Sequence, residues 1–161
     1  MEPFPKRVED AATLIGNLSI SDVWGPANTE GLVQEQYFYS FTDAKSRYSV
    51  IYFSHAKDGI LECFKEYAML IEMQTGCQLK HLCSDGSSEY INTLFRAFCA
   101  KNRIIMESTT PYSPAQNGIA ERLNHTLLEH ARAMLFAKQV PKMLWPEAIT
   151  YACYIKNRMP T

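Results

Sequence analysis

Three carboxylates stand out by their surroundings. Asp22 lies in Ser21-Asp22-Val23-Trp24-Gly25-Pro26, and Asp85 in Ser84-Asp85-Gly86-Ser87-Ser88-Glu89-Tyr90. Glu121 lies near the end of the run 111–124, which begins Pro111-Tyr112-Ser113-Pro114 and closes Glu121-Arg122-Leu123-Asn124. Carboxylate oxygens are hard ligands. Three in one place suit Mg2+ or Mn2+, which keep water and substrate oxygens in their remaining positions. Two such ions about 4 Å apart would activate an attacking hydroxyl and steady the leaving oxygen of an in-line phosphoryl transfer. The chain has 17 acidic residues, so a plainer reading stands beside this one. Asp22 and Asp85 could cap turns, and Glu121 could favour the positive end of a helix.

The elements around them decide whether the three can meet. Residues 18–23 alternate apolar and polar and read as a strand, which Trp24-Gly25-Pro26 stops. Residues 36–42 and 47–53 are aromatic-rich strands joined by a turn at Asp43-Ala44-Lys45-Ser46, a hairpin in which Asp43 starts the turn. From 56 to 75 the period turns helical, with Ile60, Phe64, Tyr67, Ala68 and Ile71 in one stripe and Gly76 as the stop. Residues 79–84 form a strand, so this strand–helix–strand unit predicts a right-handed crossover to a parallel neighbour. A helix over 92–101 puts Leu94, Phe95 and Phe98 inward, and 103–106 is a short fifth strand.

The prolines and polar residues of 109–116 predict a loop. Asn117 then caps a long helix over 117–138, with Ile119, Ala120, Leu123, Leu127, Ala131 and Leu135 on its apolar face and Glu121 in its first turn. Pro146 opens a last helix over 145–157, anchored by Trp145, Ile149, Ala152 and Ile155. The order is βββαβαβαα, an α/β fold of five mixed strands with helices on both faces. In such sheets, sites gather where strands end. Asp22 and Asp85 end strands one and four, and Glu121 starts the helix after strand five.

The chain has 161 residues, 47% hydrophobic and 20% charged, which fits a globular domain and not a disordered one. No apolar run reaches the ~18 residues that cross a bilayer, and the first residues lack a secretory core. Five cysteines without CxxC spacing read as free thiols in a reducing compartment. The net charge is −1, but residues 1–100 hold 8 Lys/Arg against 13 Asp/Glu, and residues 101–161 hold 8 against 4. The basic excess at that end hints at a polyanion partner. His55, His81 and His130 share no ligand spacing and read as locally satisfied.

The three blocks, with 35 residues between Asp85 and Glu121, resemble the catalytic core of retroviral and retrotransposon integrases, specifically the copia type of long-terminal-repeat element. The likeness runs from Pro3-Phe4-Pro5 to Asn157-Arg158-Met159-Pro160. It implies an RNase H-like fold, in agreement with the strand order above. It also implies a polynucleotidyl transferase whose Asp22, Asp85 and Glu121 hold two Mg2+ or Mn2+ ions, acting on element ends and target DNA and on no small-molecule substrate. The loop and long helix approach DNA in that family, which marks Tyr112, Gln116, Asn117, Arg122 and His125 as nucleic-acid contacts. Domain bounds follow: a linker arm over 1–17, the core over 18–158 and a truncated continuation over 159–161. The upstream zinc-binding domain and the basic C-terminal part of the family are expected to be absent.

Self-association, no membrane contact and an intracellular setting (nucleus or virus-like particle) are likewise implied. Three positions depart from the pattern. His125 stands where Arg is usual, and a neutral imidazole is the weaker phosphate ligand. Ser87 and Ser88 stand where Gly or Asn-Gly is usual, so serine either strains the turn after Asp85 or is tolerated there. Ile20 stands where His is usual. They leave open an alternative, a remnant that folds without chemistry and acts as a nucleic-acid-binding or self-associating module. An RNase H-like nuclease of another line is a third reading.

Overall fold

A computed structural model describes residues 14–108 and 114–160, the side chains of 114–117 excepted. Five strands form one sheet: β1 (Leu18–Trp24), β2 (Tyr37–Asp43), β3 (Ser49–Ser54), β4 (His81–Ser84) and β5 (Ile105–Ser108). Their spatial order is β3-β2-β1-β4-β5. The hairpin pairs are antiparallel, while β4 joins β1 and β5 joins β4 in parallel. The parallel step needs a crossover, which α1 (Ile60–Thr75) supplies. Gly76 ends that helix in the left-handed conformation at φ 70°, its N–H reaching Glu72 O.

The side-chain alternation of the strands splits the core in two. Tyr39 and Phe41 of β2 and Leu82 of β4 face α1 and the helices α2 (Ser88–Ile91) and α3 (Thr93–Lys101). There Phe64 stacks on Phe95 with ring centres 5.1 Å apart, and Phe41 stacks on Tyr67 at 4.9 Å. Phe38 faces the other way, with Leu18 and Ile20 of β1 and Cys83 of β4. This side is covered by α4 (Pro114–Lys138) and α5 (Trp145–Lys156) through Ala120, Leu123, Leu127, Ala131, Ile149 and Ala152. Trp145 anchors α5 by packing against Trp24 and Phe53 and donating its indole N–H to Thr29 O at 2.8 Å.

The observed order matches the sequence reading except at three places. The helix expected over 92–101 is present as α3, and a short helix that the sequence did not suggest, α2, precedes it; between them Asn92 is extended, and its side chain caps α3 through Phe95 N at 2.8 Å. That cap sets the phase of α3 so that Phe95 and Cys99 are buried while Leu94, expected inward, is 73% exposed. The long helix begins at Pro114 and not at Asn117. Proline suits a first helical position, where the missing N–H has no partner to lose, so Asn117 lies within the first turn and does not cap it. Glu121 consequently sits two turns into α4. A short 3-10 turn (Lys142–Leu144) also precedes α5.

Asp43 holds its turn as expected. It is buried, and its carboxylate accepts from Ser46 N and Ser46 Oγ, both at 2.6 Å, and from Gly16 N at 2.8 Å. The five cysteines are free, with Cys83, Cys99 and Cys153 buried. Among the described residues no helix is long and apolar enough to cross a membrane.

Candidate active site at the β1–β4 strand ends

The parallel register places the first two carboxylates. Ile20 pairs with Cys83 at the last rung of the β1–β4 ladder. Two residues further along each chain come Asp22, still within β1, and Asp85, one residue past the end of β4; the register, carried on, would set the two side by side on the face of Ile20 and Cys83. That face is the one α4 covers. Burial of Ala120 against Leu18, Ile20 and Cys83 fixes the rotation of α4 above the strand ends. One turn on, Asn124 is buried and donates its amide to Asp22 Oδ2 at 2.7 Å. Val23 N donates to Asp22 Oδ1 at 2.9 Å. Asp22 therefore sits between its own strand and α4.

The electrostatics agree with this placement. Burial, joined by the like charges of Asp85 and Glu121, pushes the Asp22 carboxyl up to about 6 against the bonds from Val23 and Asn124. Asp85 and Glu121 thus act on Asp22 through space, although both are exposed. Asp85 Oδ1 accepts from Ser87 N at 3.0 Å. Among the described residues, no three His, Cys, Asp or Glu side chains stand close enough to grip one ion. The three carboxylates share one end of the sheet without closing around a common point. Their donor set nevertheless fits a hard dication: acceptor-only oxygens whose mutual repulsion such an ion would relieve.

Of the two readings of the turn after Asp85, strain or tolerance of serine, the backbone favours tolerance. The left-handed residue is Gly86, at φ 73°, and a Cβ there would run into the Ser108 hydroxyl. Ser87 is extended at φ −62° and ψ 161°, a conformation open to any side chain. The serines therefore stand where no glycine is needed.

Among the residues expected to meet nucleic acid, Tyr112 lies outside the described residues. Gln116 and Asn117 lie in the first turn of α4, their side chains outside the description. Arg122 is exposed, with its guanidinium close over Gly118. His125 is exposed, with Nδ1 3.4 Å from Glu129 Oε2. His81 is held by Glu107 at 2.8 Å, in line with the local role expected for it. Asn124 is the residue sequence reasoning passed over. Its signal is a polar side chain at the four-residue step from Ala120, on the face that should be apolar.

Beside Asp22 a groove of about 1150 Å3 opens from Val23–Thr29 along the second half of α4. Leu128 and Trp145 line it, with Arg132 and Lys142 as its charged residues.

No protein-family model matches the chain. It is 39% identical over 145 residues to the retrovirus-related Pol polyprotein from transposon TNT 1-94 of Nicotiana tabacum, covering 90% of this chain and 11% of that protein. It is 32% identical over 141 residues to the transposon Ty1-NL2 Gag-Pol polyprotein of Saccharomyces cerevisiae, covering 86% of this chain and 8% of that protein. The chain thus spans about a tenth of the length of these curated relatives. In fold it is similar to the HTLV-2 integrase catalytic core domain solved with magnesium as a dimer, with a TM-score of 0.66 and 16% identity over 92% of this chain and 91% of that one. It is also similar to a chain of the simian T-cell lymphotropic virus intasome in complex with the PP2A regulatory subunit B56 gamma, with a TM-score of 0.68 and 15% identity over 89% of this chain and 49% of that one. The chain is thus similar in sequence to a stretch of copia/Ty1-type retrotransposon polyproteins, and it shares its fold with retroviral integrase catalytic cores.

Proposed function

We propose that this chain is the phosphoryl-transfer core of a copia-type integrase, acting on DNA ends with Asp22, Asp85 and Glu121 as ligands of two Mg2+ or Mn2+ ions. The observation that carries the reading is the parallel β1–β4 register, which, carried two residues beyond Ile20 and Cys83, would bring Asp22 and Asp85 side by side, with Asn124 of α4 donating to one Asp22 oxygen. When bound, the metal pair supplies the activation of a nucleophilic hydroxyl and the stabilisation of the leaving oxygen. The chain's own contribution is placement. Val23 and Asn124 orient Asp22, Ser87 N orients Asp85, and α4 carries Glu121 toward both. No covalent enzyme intermediate is required. The reaction class is 3′-end processing followed by strand transfer.

Arg122 and His125 lie on the exposed side of α4 and would take phosphates, with Tyr112, Gln116 and Asn117 as further contacts from the preceding run. A strand leaving the site would follow the groove toward Arg132 and Lys142. Pairing of two copies is part of the same reading. It is supported by exposed Tyr151 and Tyr154, which stack on each other at 6.1 Å on the outer face of α5. The setting would be intracellular, in a nucleus or virus-like particle.

The test is strand transfer with oligonucleotides in Mn2+, comparing this chain with Glu121→Gln. Joined product from the wild type alone supports the reading. Equal background from both leaves a folded, inactive module, and cleavage without joining points to a nuclease.

A further inference from the structure

The segment that follows Asp85 is held at two points, and neither belongs to the proposed ligand set. Glu89 is buried and forms an ion pair with the ammonium of Lys57, whose side chain is 53% exposed. Burial alone would push the Glu89 carboxyl up. Its bonds with Lys57 and the Ser87 hydroxyl outweigh this and hold it below the usual range. The next residue, Tyr90, is buried, and its hydroxyl lies 2.7 Å from Ser21 Oγ. Ser21 directly precedes Asp22. The Tyr90 ring is locked edge-on against Phe95 at 5.6 Å, within the core that Phe64 completes.

Lys57 itself stands on a pinned loop. It lies between β3 and α1, where Tyr39 of β2 donates its hydroxyl to Ala56 O at 2.7 Å and Ala56 N reaches Ser54 Oγ at 3.2 Å. A chain of contacts therefore runs from β2 through Ala56 and Lys57 to Glu89, and through Tyr90 back to β1 beside Asp22. Asp85 lies outside this bracket, exposed and one residue past the end of β4. The β1–β4 ladder has already stopped two residues earlier, at Ile20 and Cys83. Without the bracket, the Ser87 N–H bond, Gly86 and the β4–β5 pairing that ends at Ser84 and Ser108 would be left to define where Asp85 points.

We propose that Lys57, Glu89 and Tyr90 are positioning residues that hold the segment 85–91 so that Asp85 stays beside Asp22. The inference rests on the reading of Asp22 and Asp85 as metal ligands, and it adds three residues that touch neither ion nor substrate. Groups of this kind set metal affinity by fixing the ligands they support.

The experiment uses Mn2+ as the probe, with bound ion read from the loss of the free-ion electron paramagnetic resonance signal, and amide hydrogen exchange over 85–91 measured on the same samples. Lys57→Met keeps the aliphatic stem and removes the pair, Tyr90→Phe keeps the ring and removes the hydroxyl, and Lys57→Arg keeps the pair. Lys57→Met and Tyr90→Phe are expected to weaken Mn2+ binding by roughly tenfold and to speed exchange over 85–91, while Lys57→Arg matches the wild type in both. Mn2+ affinity unchanged in Lys57→Met and Tyr90→Phe, with or without a loosened segment, overturns the proposal and leaves the metal-site reading standing. Loss of both properties in Lys57→Arg as well overturns it too, since the pair is then not what acts. Wild-type protein that binds no Mn2+ in an Asp22-dependent manner sinks the metal-site reading, and the inference with it.

Discussion

Asp22 sits in a contradiction that a cation would resolve. Its carboxylate is half-buried beside two like charges, which together raise its folded pKa to about 6 against 3.8 for the free group. The sign follows directly. A raised carboxyl binds its proton more tightly in the folded state, so its contribution to stability is full below about pH 4 and is lost as pH rises through about 6. At pH 7.5 without metal, the ionised Asp22 costs on the order of 1–3 kcal/mol. Asp22→Asn in EDTA should therefore melt above the wild type at pH 7.5, with the gap closing toward pH 4. An asparagine at 22 can still accept from Val23 N. The Oδ1 of Asn124, buried without a hydrogen-bond partner, is available to accept from the new amide if Asn124 turns over. A wild type that melts at or above the variant at pH 7.5 would contradict the burial argument. Little of this was legible in the sequence. Asp22 could be singled out by its neighbours, but its partner Asn124 lies 102 residues away and its role exists only once α4 is laid across β1.

Strands and helices were legible where burial on one face imposes a period. β2 reads as Tyr37-Phe38-Tyr39-Ser40-Phe41, and its two faces went to two different cores as the alternation requires. Boundaries were legible only where a residue has a single physical use. Gly76 marked the end of α1 because no other residue sits so easily at positive φ, whereas Pro114 was read as a breaker and is a helix start. Leu94 was misplaced because the Asn92 cap, and not hydrophobicity, sets the phase of α3. The same logic governs the turn after β4. Gly86→Ala forces a Cβ onto the Ser108 hydroxyl at positive φ and is expected to destabilise by about 1–3 kcal/mol. Ser87→Gly, at an extended position, should change stability by less than about 1 kcal/mol. Chemical denaturation of both variants checks this, and the reverse ranking would return the strain to Ser87.

At the scale of the whole molecule, the sheet order β3-β2-β1-β4-β5 puts the two central parallel strand ends beneath one long helix. The fold class followed from the order of elements, because a strand–helix–strand unit after an antiparallel hairpin leaves few ways to lay the fourth strand beside the first. Charge tells the other half. With a net charge of −1, the chain has little long-range attraction for a polyanion. Its basic residues at Arg122, Arg132 and Lys142 supply a few phosphate contacts at most. DNA affinity of this chain should therefore be weak, with fluorescence anisotropy showing no tight complex at ~200 mM salt. Tight binding under those conditions would mean that contacts other than phosphates dominate.

In the proposed site, Asp22 and Asp85 hold a metal ion jointly. Crystals of this chain soaked in Mn2+, with anomalous difference density measured near the manganese edge, test it without reference to activity. The expected result is a peak bridged by carboxylate oxygens of Asp22 and Asp85, with Asn124 still on the second oxygen of Asp22. Well-ordered Asp22 and Asp85 side chains with no manganese between them, in crystals that bind the ion elsewhere, would contradict it.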